Sequence, residues 1–200
     1  METLDKIFCK AEELFMRYGL KSVTMDDIAS ALGVSKKTLY QFVSNKTDLV
    51  KRALNSHLDE EKANIRAIRL KSVDAIQGMF EIGMYITRHL KNMNPSVIYD
   101  MEKYYPEAWK LFFDYKHEYV YQLILENIER GINEGLYRND FNPKVVAKIY
   151  VGGTDSIIDP DLFPWGEFQL ADIYAEYLKF YIRGIASEKG LKVLDKLKPI

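Results

Sequence analysis

The sequence predicts an all-α protein, and three observations support this fold class. Apolar residues recur at spacings of three and four through several long segments, the period of an amphipathic helix. Eleven Gly and six Pro occur in 200 residues, and they stand where these segments break rather than in a turn-rich series of short strands. Hydrophobic residues make up 48% of the chain, which is enough to bury a sizeable core. We expect about nine helices, three of them in an N-terminal unit and the others in a larger C-terminal part.

The first segment is predicted to be one amphipathic helix. Its apolar residues form a single stripe, which consists of Leu4, Ile7, Phe8, Ala11, Leu14, Phe15 and Tyr18. Gly19 follows directly, and a glycine in the left-handed conformation commonly ends a helix. The helix is therefore expected to stop at about residue 18.

Two short helices and a turn follow. Thr24 is an N-cap candidate with carboxylates in the next turn, so a second helix is expected from here to about Ala31. A turn over residues 32–34 contains Gly33, and Ser35 then caps a third helix predicted to extend to Phe42. Two helices of about two turns, joined by a short turn with a glycine, are typical of a helix-turn-helix. Small Ala29 and inward-facing Leu39 are expected to pack where the two helices cross.

Six longer or later helices complete the prediction. The segment Asn45-Lys46-Thr47-Asp48 resembles a capping box, so a fourth helix is expected over about 45–68, linking the two parts of the chain. The remaining patterns predict helices at 73–90, 96–104, 107–133, 143–158 and 167–186.

The motifs of the N-terminal segment resemble the DNA-binding signature of the TetR family of transcription regulators. They comprise residues 24–29, 32–36, 38–42 and 45–49, in that order and spacing. Residues 131–138 show a weaker resemblance to the end of the seventh helix of the family and the loop after it. The resemblance implies a DNA-binding domain over residues 1–48 and a ligand-binding and dimerisation domain over residues 49–200. It implies a ligand-responsive repressor that binds a palindromic operator as a homodimer.

The third helix and its flanks supply the candidate DNA contacts, because a recognition helix needs exposed donors near its N-terminus. Gln41 can pair with adenine, and Lys36 or Lys37 can pair with guanine. Tyr40 resembles the phosphate-contacting tyrosine of the family, and Thr24 and Lys46 resemble clamps on the DNA backbone. The predicted DNA-binding residues are Thr24, Ser35, Lys36, Lys37, Thr38, Tyr40, Gln41 and Lys46.

The resemblance also implies that the last two long helices pair with those of a second subunit. Small and aromatic residues suit such an interface, and we select Gly152, Gly153, Tyr174, Tyr177, Leu178 and Tyr181. An apolar stripe of this width is also compatible with a core within one chain.

The segment 79–121 is rich in Met and aromatic residues, as expected for the wall of a pocket for a small, mostly hydrophobic effector. The candidate lining residues are Met84, Tyr85, His89, Tyr105, Trp109, Phe112, Phe113 and His117. Aromatic residues at helical spacing also suit a packed core, and that alternative stays open.

Composition argues against several classes of protein. The charged residues of the first ten positions leave no signal-peptide stretch, and no run of about 18 apolar residues suggests a membrane span; we expect a cytoplasmic protein without membrane contact. The net charge of −1 divides into +2 over residues 1–52 and −3 over residues 53–200, which permits a DNA-facing N-terminus. Cys9 is the single cysteine, so no disulfide can form within the chain.

Sequence patterns of an enzyme or a metal site do not stand out. The chain has no Gly-rich phosphate loop, no histidine pair at metal-ligand spacing and no serine in a nucleophile elbow. Asp155, Asp159 and Asp161 lack the glycine and the terminal glutamate of a calcium-binding loop. We expect neither catalysis nor a bound metal or cofactor.

Two alternative functions stay open at this point. The helix-turn-helix could belong to a helical protein-interaction module that does not bind an operator, although the exposed donors Lys36, Lys37, Tyr40 and Lys46 favour phosphates as partners. Alternatively, the chain could be a DNA-binding regulator without a small-molecule effector, which a solid C-terminal core would indicate.

Overall fold

A computed structural model of the chain describes residues 3–164 and 166–197. Over these residues the chain forms eleven α-helices and one π-helical segment and no β-strand, so the predicted all-α class is confirmed. The helices are α1 (Thr3–Tyr18), α2 (Met25–Leu32), α3 (Lys36–Leu39), α4 (Lys46–Lys71), α5 (Ala75–Leu90), α6 (Ser96–Tyr104), α7 (Pro106–Asp114), α8 (Tyr121–Asn133), α9 (Pro143–Ile157), α10 (Leu170–Ile185) and α11 (Glu188–Leu194); the π-helical segment is Tyr115–Val120.

Two compact units divide the described residues. The N-terminal unit consists of residues up to 62 together with 92–114, and the C-terminal unit consists of residues 63–91 together with those from 115 onward. Helix α4 contributes to both units, and α6 and α7 belong to the N-terminal unit. The functional division at residues 48 and 49 was drawn from the family resemblance and stays a prediction.

The core of the N-terminal unit forms on the predicted apolar stripe of α1. This stripe buries Ile7, Phe8, Ala11 and Phe15, and residues from the other helices of the unit pack into the same cluster. These residues are Ile28 and Ala29 of α2, Leu39 of α3, Leu49, Val50 and Ala53 of α4, Val97 and Met101 of α6, and Ala108 of α7. Helices α6 and α7 therefore complete the hydrophobic core of the N-terminal unit.

The C-terminal unit has its main core between α5, α8, α9 and α10. Two of its helices approach closely at Gly83 of α5, where an added Cβ would lie 1.9 Å from Cδ2 of the fully buried Leu178 of α10. Glycine lets the two helix backbones come close enough for Leu178 to fill the space between them.

The later helices differ from the prediction in number and bounds. The helix predicted over 107–133 begins at Pro106, where proline suits the first helical turn, and changes to π-helical geometry over Tyr115–Val120 before it continues as α8. Helix α10 begins at Leu170 instead of residue 167, and α11 was not predicted at all. The described chain therefore has eleven α-helices where about nine were expected. Among the described residues, no helix has the length and apolar character of a membrane span.

Candidate nucleic-acid interface

Helix α2 begins with the cap that the sequence predicts. The backbone N–H of Asp27 donates to Oγ1 of Thr24 at 3.2 Å, and the backbone N–H of Thr24 donates to Oδ2 of Asp27 at 2.8 Å. The Thr24 hydroxyl also donates to this carboxylate, at 2.7 Å, and these hydrogen bonds hold the pKa of Asp27 below its usual value. The reciprocal bonds form a capping box and hold the exposed Thr24 at the helix start.

The turn between α2 and α3 depends on one glycine. Gly33 ends α2 with a φ of +67°, in the left-handed region that glycine adopts without strain. The next residue, Val34, donates its N–H to the carbonyl of Ala29 at 3.0 Å. Ala29 and Leu39 are both buried, as expected from their place in the helix-turn-helix.

Helix α3 is shorter than the sequence predicts. Ser35 caps it by accepting the N–H of Thr38 at 3.0 Å, and the two hydroxyls lie 2.8 Å apart. The expected end at Phe42 is wrong, because α3 ends at Leu39. Beyond it, the N–H groups of Gln41 and Phe42 bond to carbonyls three residues back, at 3.1 and 3.0 Å, and this spacing is that of a 3₁₀ turn. Residues 36–42, which we call the recognition segment, therefore consist of one α-helical turn followed by tighter turns.

The outer side of this segment presents polar groups to solvent. Lys37, Tyr40 and Gln41 are exposed, and over the described residues their side chains form no hydrogen bond or ion pair. Lys36 differs, because its Nζ lies 2.8 Å from Oδ2 of Asp26 on α2. The hydrogen bond to Asp26 raises the pKa of Lys36, so this lysine stays charged.

Lys46 lies at the start of α4, next to the α1–α2 loop. Its Nζ donates to the carbonyl oxygen of Lys21 at 3.2 Å. Partial burial lowers the pKa of Lys46, and the nearby carboxylates of Asp100 and Asp27 oppose that effect. The preceding Asn45 caps α4 by accepting the N–H of Asp48 at 2.9 Å, as the sequence predicts.

Helix α6 supports the interface in a way that sequence reasoning missed. Asp100 of α6 is only 6% exposed and accepts the backbone N–H of Lys21 at 2.9 Å. The backbone of Lys21 is thus held by Asp100 on its N–H and by Lys46 on its carbonyl. Asp100 follows Lys21 by 79 residues, and no local pattern in the sequence signals so distant a contact.

Comparisons with known proteins agree with this geometry. Residues 7–53 match the family model described as bacterial regulatory proteins, tetR family. The chain is 24% identical to the uncharacterized HTH-type transcriptional regulator YvaF of Bacillus subtilis, over 84% of this chain and 88% of that protein. It is also 24% identical to the HTH-type transcriptional repressor KstR2 of Mycobacterium tuberculosis, over 89% and 90%. The solved structure of a transcriptional regulator from Saccharomonospora viridis in complex with choline shares the fold, with a TM-score of 0.70 at 20% identity over 92% and 98% of the two chains.

Over residues 7–53 the chain belongs to the TetR family. It is a DNA-binding transcription regulator, and α2, α3 and the turn between them form its helix-turn-helix. The roles of the individual side chains in binding DNA stay predictions.

The predicted effector-binding residues of this TetR-family regulator divide between its two units. Tyr105, Trp109, Phe112 and Phe113 belong to the N-terminal unit, whereas Met84, Tyr85, His89 and His117 belong to the C-terminal unit. Tyr105 is buried in the core of its unit, and Trp109 and Phe112 pack against that core. The pocket stays a prediction.

The predicted dimer residues of the regulator also fall into two groups. Tyr174, Leu178 and Tyr181 are buried within the chain. This agrees with the alternative that the apolar stripe of α10 packs into the core of its own subunit. Tyr177 covers Gly153 and donates to the carbonyl of Tyr150 at 2.7 Å. Gly152 is exposed, with no atom within 4 Å of an added Cβ. The interface itself stays a prediction.

Proposed function

We propose that this regulator is a repressor that binds a palindromic operator as a homodimer and is controlled by a small, mostly hydrophobic effector. The observation that carries the proposal is the exposed polar edge of α3, fixed by its Ser35 cap and by the buried Leu39 within a family-matching helix-turn-helix. The backbone of a segment held in this way is already in place to present its side chains to the major groove. The repressor name of the relative KstR2 supports repression as its effect.

Base reading is assigned to the side chains that face solvent on and after α3. Gln41 offers an amide that pairs with adenine, and Lys37 offers an ammonium for guanine. Lys36 can do the same when it leaves Asp26, and since both partners are exposed, this ion pair opposes the exchange only weakly. Ser35 and Thr38 share a hydrogen bond between their hydroxyls, which leaves one of the two O–H groups as a further donor at the helix start.

Contacts to the DNA backbone are assigned to the flanks of the same element. Thr24 lies at the N-terminus of α2, where free N–H groups and the helix dipole favour a phosphate. Tyr40 is 44% exposed and has a hydroxyl to donate. Lys46 places its charge at the start of α4. These groups set the register of the protein on DNA and carry most of the salt dependence of binding.

Dimerisation is assigned to the outer faces of α9 and α10. Val145 and Ile149 of α9 are 52% and 62% exposed, and Phe180 of α10 is 80% exposed. Gly152 and Gly184 leave open space on the same two helices. An unusually exposed apolar face that continues into small residues suits a second copy of the chain, because helices can then approach closely. A twofold dimer presents two recognition segments to successive major grooves of a palindrome.

Control by an effector is proposed for the C-terminal part of the chain and the aromatic segment that leads into it. The choline complex of the Saccharomonospora protein supports the idea that this fold accommodates a small ligand. An effector can release the operator only if it binds the DNA-free arrangement more tightly than the DNA-bound one. Helix α4 contributes to both units, and we assign the coupling to it. The regulator is expected to act in the cytoplasm and to lack catalytic activity.

The proposal is tested by selecting bound duplexes from a random-sequence pool with the purified full-length chain. We expect an enriched inverted repeat, bound by two subunits per duplex as measured by mass photometry. Tyr40→Ala and Lys46→Gln should weaken binding to the enriched duplex, while Lys62→Gln, which changes a half-buried lysine of α4 paired with Asp59, should bind as wild type does. A pool that shows no enrichment after repeated rounds would contradict operator binding.

A further inference from the structure

A basic and aromatic surface lies on the N-terminal unit outside the helix-turn-helix. We call Lys21, Tyr99, Lys103 and Tyr104 the α6 patch: Lys21 is in the loop before α2, and the other three are on α6. All four side chains are exposed, including 40% of Tyr99 and 39% of Tyr104. The patch therefore presents the polar groups of two lysines and two tyrosines to solvent.

Polar and cation–π contacts join the members of the patch. Nζ of Lys21 donates to the hydroxyl of Tyr104 at 3.2 Å and lies 4.7 Å from the centre of its ring. Nζ of Lys103 donates to the hydroxyl of Tyr99 at 2.7 Å and lies 5.5 Å from the ring of Tyr104. An ammonium has three N–H donors, so each lysine keeps donors for a further acceptor.

Positive charge in the patch is not neutralised by carboxylates. Within the described ranges neither Lys21 nor Lys103 forms an ion pair with an acidic side chain, although Lys10, Lys51 and Lys110 of the same unit each do. Helix α6 carries two carboxylates: Asp100 is buried and accepts the backbone N–H of Lys21, and the exposed Glu102 forms no ion pair with either lysine among the described residues. The exposed charge of the patch is therefore available to an anionic partner.

The patch is continuous with the candidate DNA interface. Lys46, assigned to a DNA phosphate, donates to the carbonyl of Lys21 at 3.2 Å, and Lys21 leads to Tyr104 through its own side chain. The loop that carries Lys21 is held in place, because an added Cβ at the preceding Gly19 would lie 2.6 Å from Oγ of Ser96. The lysines of the patch therefore extend a row that begins at Lys46, the proposed phosphate contact, and they are positioned to follow the same DNA backbone.

We propose that the α6 patch binds backbone phosphates of the DNA that flanks the operator. This inference rests on the operator binding proposed above and extends that interface from the helix-turn-helix to α6. Lysine ammonium and tyrosine hydroxyl groups are common donors to DNA phosphates, and neither reads sequence at the backbone. The patch therefore adds affinity that depends on the length of the duplex and not on the sequence of its flanks.

The test compares two duplexes with the same operator, enriched from the random pool by the wild-type chain. One duplex ends at the edges of the operator, and the other extends by ten base pairs of arbitrary sequence on each side. Wild type, the double variant Lys21→Gln/Lys103→Gln and the control Lys110→Gln are titrated on both duplexes across a salt series. The control is suitable because Lys110 is an exposed lysine of the same unit that pairs with Asp114.

Wild type and the control are expected to bind the extended duplex several-fold more tightly than the short one. The double variant should lose this advantage and bind the short duplex as wild type does. On the extended duplex its plot of log affinity against log salt should be shallower by about 0.9 for each phosphate that the variant no longer neutralises. Tyr104→Phe keeps the ring and loses the hydroxyl donor. Its affinity advantage on the extended duplex should lie between those of wild type and the double variant.

Two failures of this experiment are distinguishable. If wild type does not prefer the enriched duplex to a scrambled one, operator binding itself is contradicted. If wild type prefers it, and the correctly folded double variant keeps both the flank advantage and the salt slope, the assignment of the patch is overturned while the proposed function stands. A thermal midpoint equal to that of wild type establishes correct folding.

Discussion

Tyr40 and Gln41 are neighbours after α3, but their side chains offer different chemistry to DNA. Tyr40→Ala removes a donor to the backbone and is expected to weaken binding about equally on every sequence. Gln41→Ala removes a group that pairs with adenine and is expected to relax one position of the operator, at a cost of about 1–3 kcal/mol on the preferred base. Binding to the operator and to duplexes with single base changes measures both effects. Equal losses on operator and scrambled DNA for Gln41→Ala would contradict the assignment to base reading.

His57 is a mostly buried cation that joins α4 to α1 within the N-terminal unit. Its Nδ1 lies 2.7 Å from Oε1 of Glu12 on α1, and its Nε2 lies 3.6 Å from Oε2 of Glu61 on α4. Burial by itself lowers the pKa of His57, but the hydrogen bonds to Glu12 and Glu61 outweigh it and raise the pKa to about 10. The imidazole is therefore charged at neutral pH and bridges two carboxylates.

Because of this arrangement, the stability of the fold is expected to fall as the pH rises into the alkaline range. An unfolded histidine titrates near 6.5, so the contribution of His57 is complete below about pH 6.5 and is lost as pH rises towards 10. His57→Gln should lower the free energy of unfolding by roughly 2–4 kcal/mol at pH 6.5 and by clearly less at pH 9.5. Urea unfolding at the two pH values measures this, with the exposed His89→Gln as control. An equal loss at both values would contradict a charged His57.

Helices α9 and α10 each present one face to the core of the C-terminal unit and another to solvent. Because Phe180 is 80% exposed and Ile149 is 62% exposed, the proposed dimer buries them while the core of each subunit keeps its packing. Phe180→Lys and Ile149→Asp should therefore give folded monomers and lower the apparent operator affinity by at least tenfold. Light scattering and thermal unfolding measure assembly and folding separately. Leu70→Lys, at a residue of α4 that is 78% exposed, is the control expected to stay dimeric.

The sequence predicted the helix-turn-helix well because its determinants are local. Thr24, Gly33 and Ser35 act through neighbours at most four or five residues away, and the structure confirms all three roles. The end of α3 was predicted less well, since an i→i+3 turn and an α-turn use the same residue types. The π-helical segment 115–120 was missed for a similar reason: one widened turn leaves the apolar spacing of a long helix almost unchanged.

Long-range contacts set the limit of prediction for the other surfaces. The stripe of Tyr174, Leu178 and Tyr181 has the same period whether it meets another helix of the chain or a second subunit, and only the structure shows that α5 and α9 occupy it. The buried Asp100 looks like any polar residue of an amphipathic helix until its contact with Lys21 is known. Burial of a charged group by a distant segment leaves no local trace in a sequence.

For the whole molecule, the geometry of a dimer on DNA gives a prediction that depends on no single side chain. Two recognition segments related by a twofold axis must meet half-sites about one helical turn apart, or a multiple of it. Insertion of five base pairs between the half-sites turns one of them to the opposite side of the duplex, so binding should fall to the level of scrambled DNA. Insertion of the same five base pairs outside the half-sites is the control and should leave affinity unchanged.

The measurement that tests the central claim most directly is binding of the full-length chain to the DNA upstream of its own gene, by mobility shift across a salt series. The genes of such regulators often lie beside the genes that they control. The account predicts a specific complex with two subunits, preferred over scrambled DNA of equal length, that weakens steeply as salt rises. A folded dimer that binds neither this DNA nor any duplex from the random pool in preference to scrambled DNA would contradict operator binding as the function of this chain.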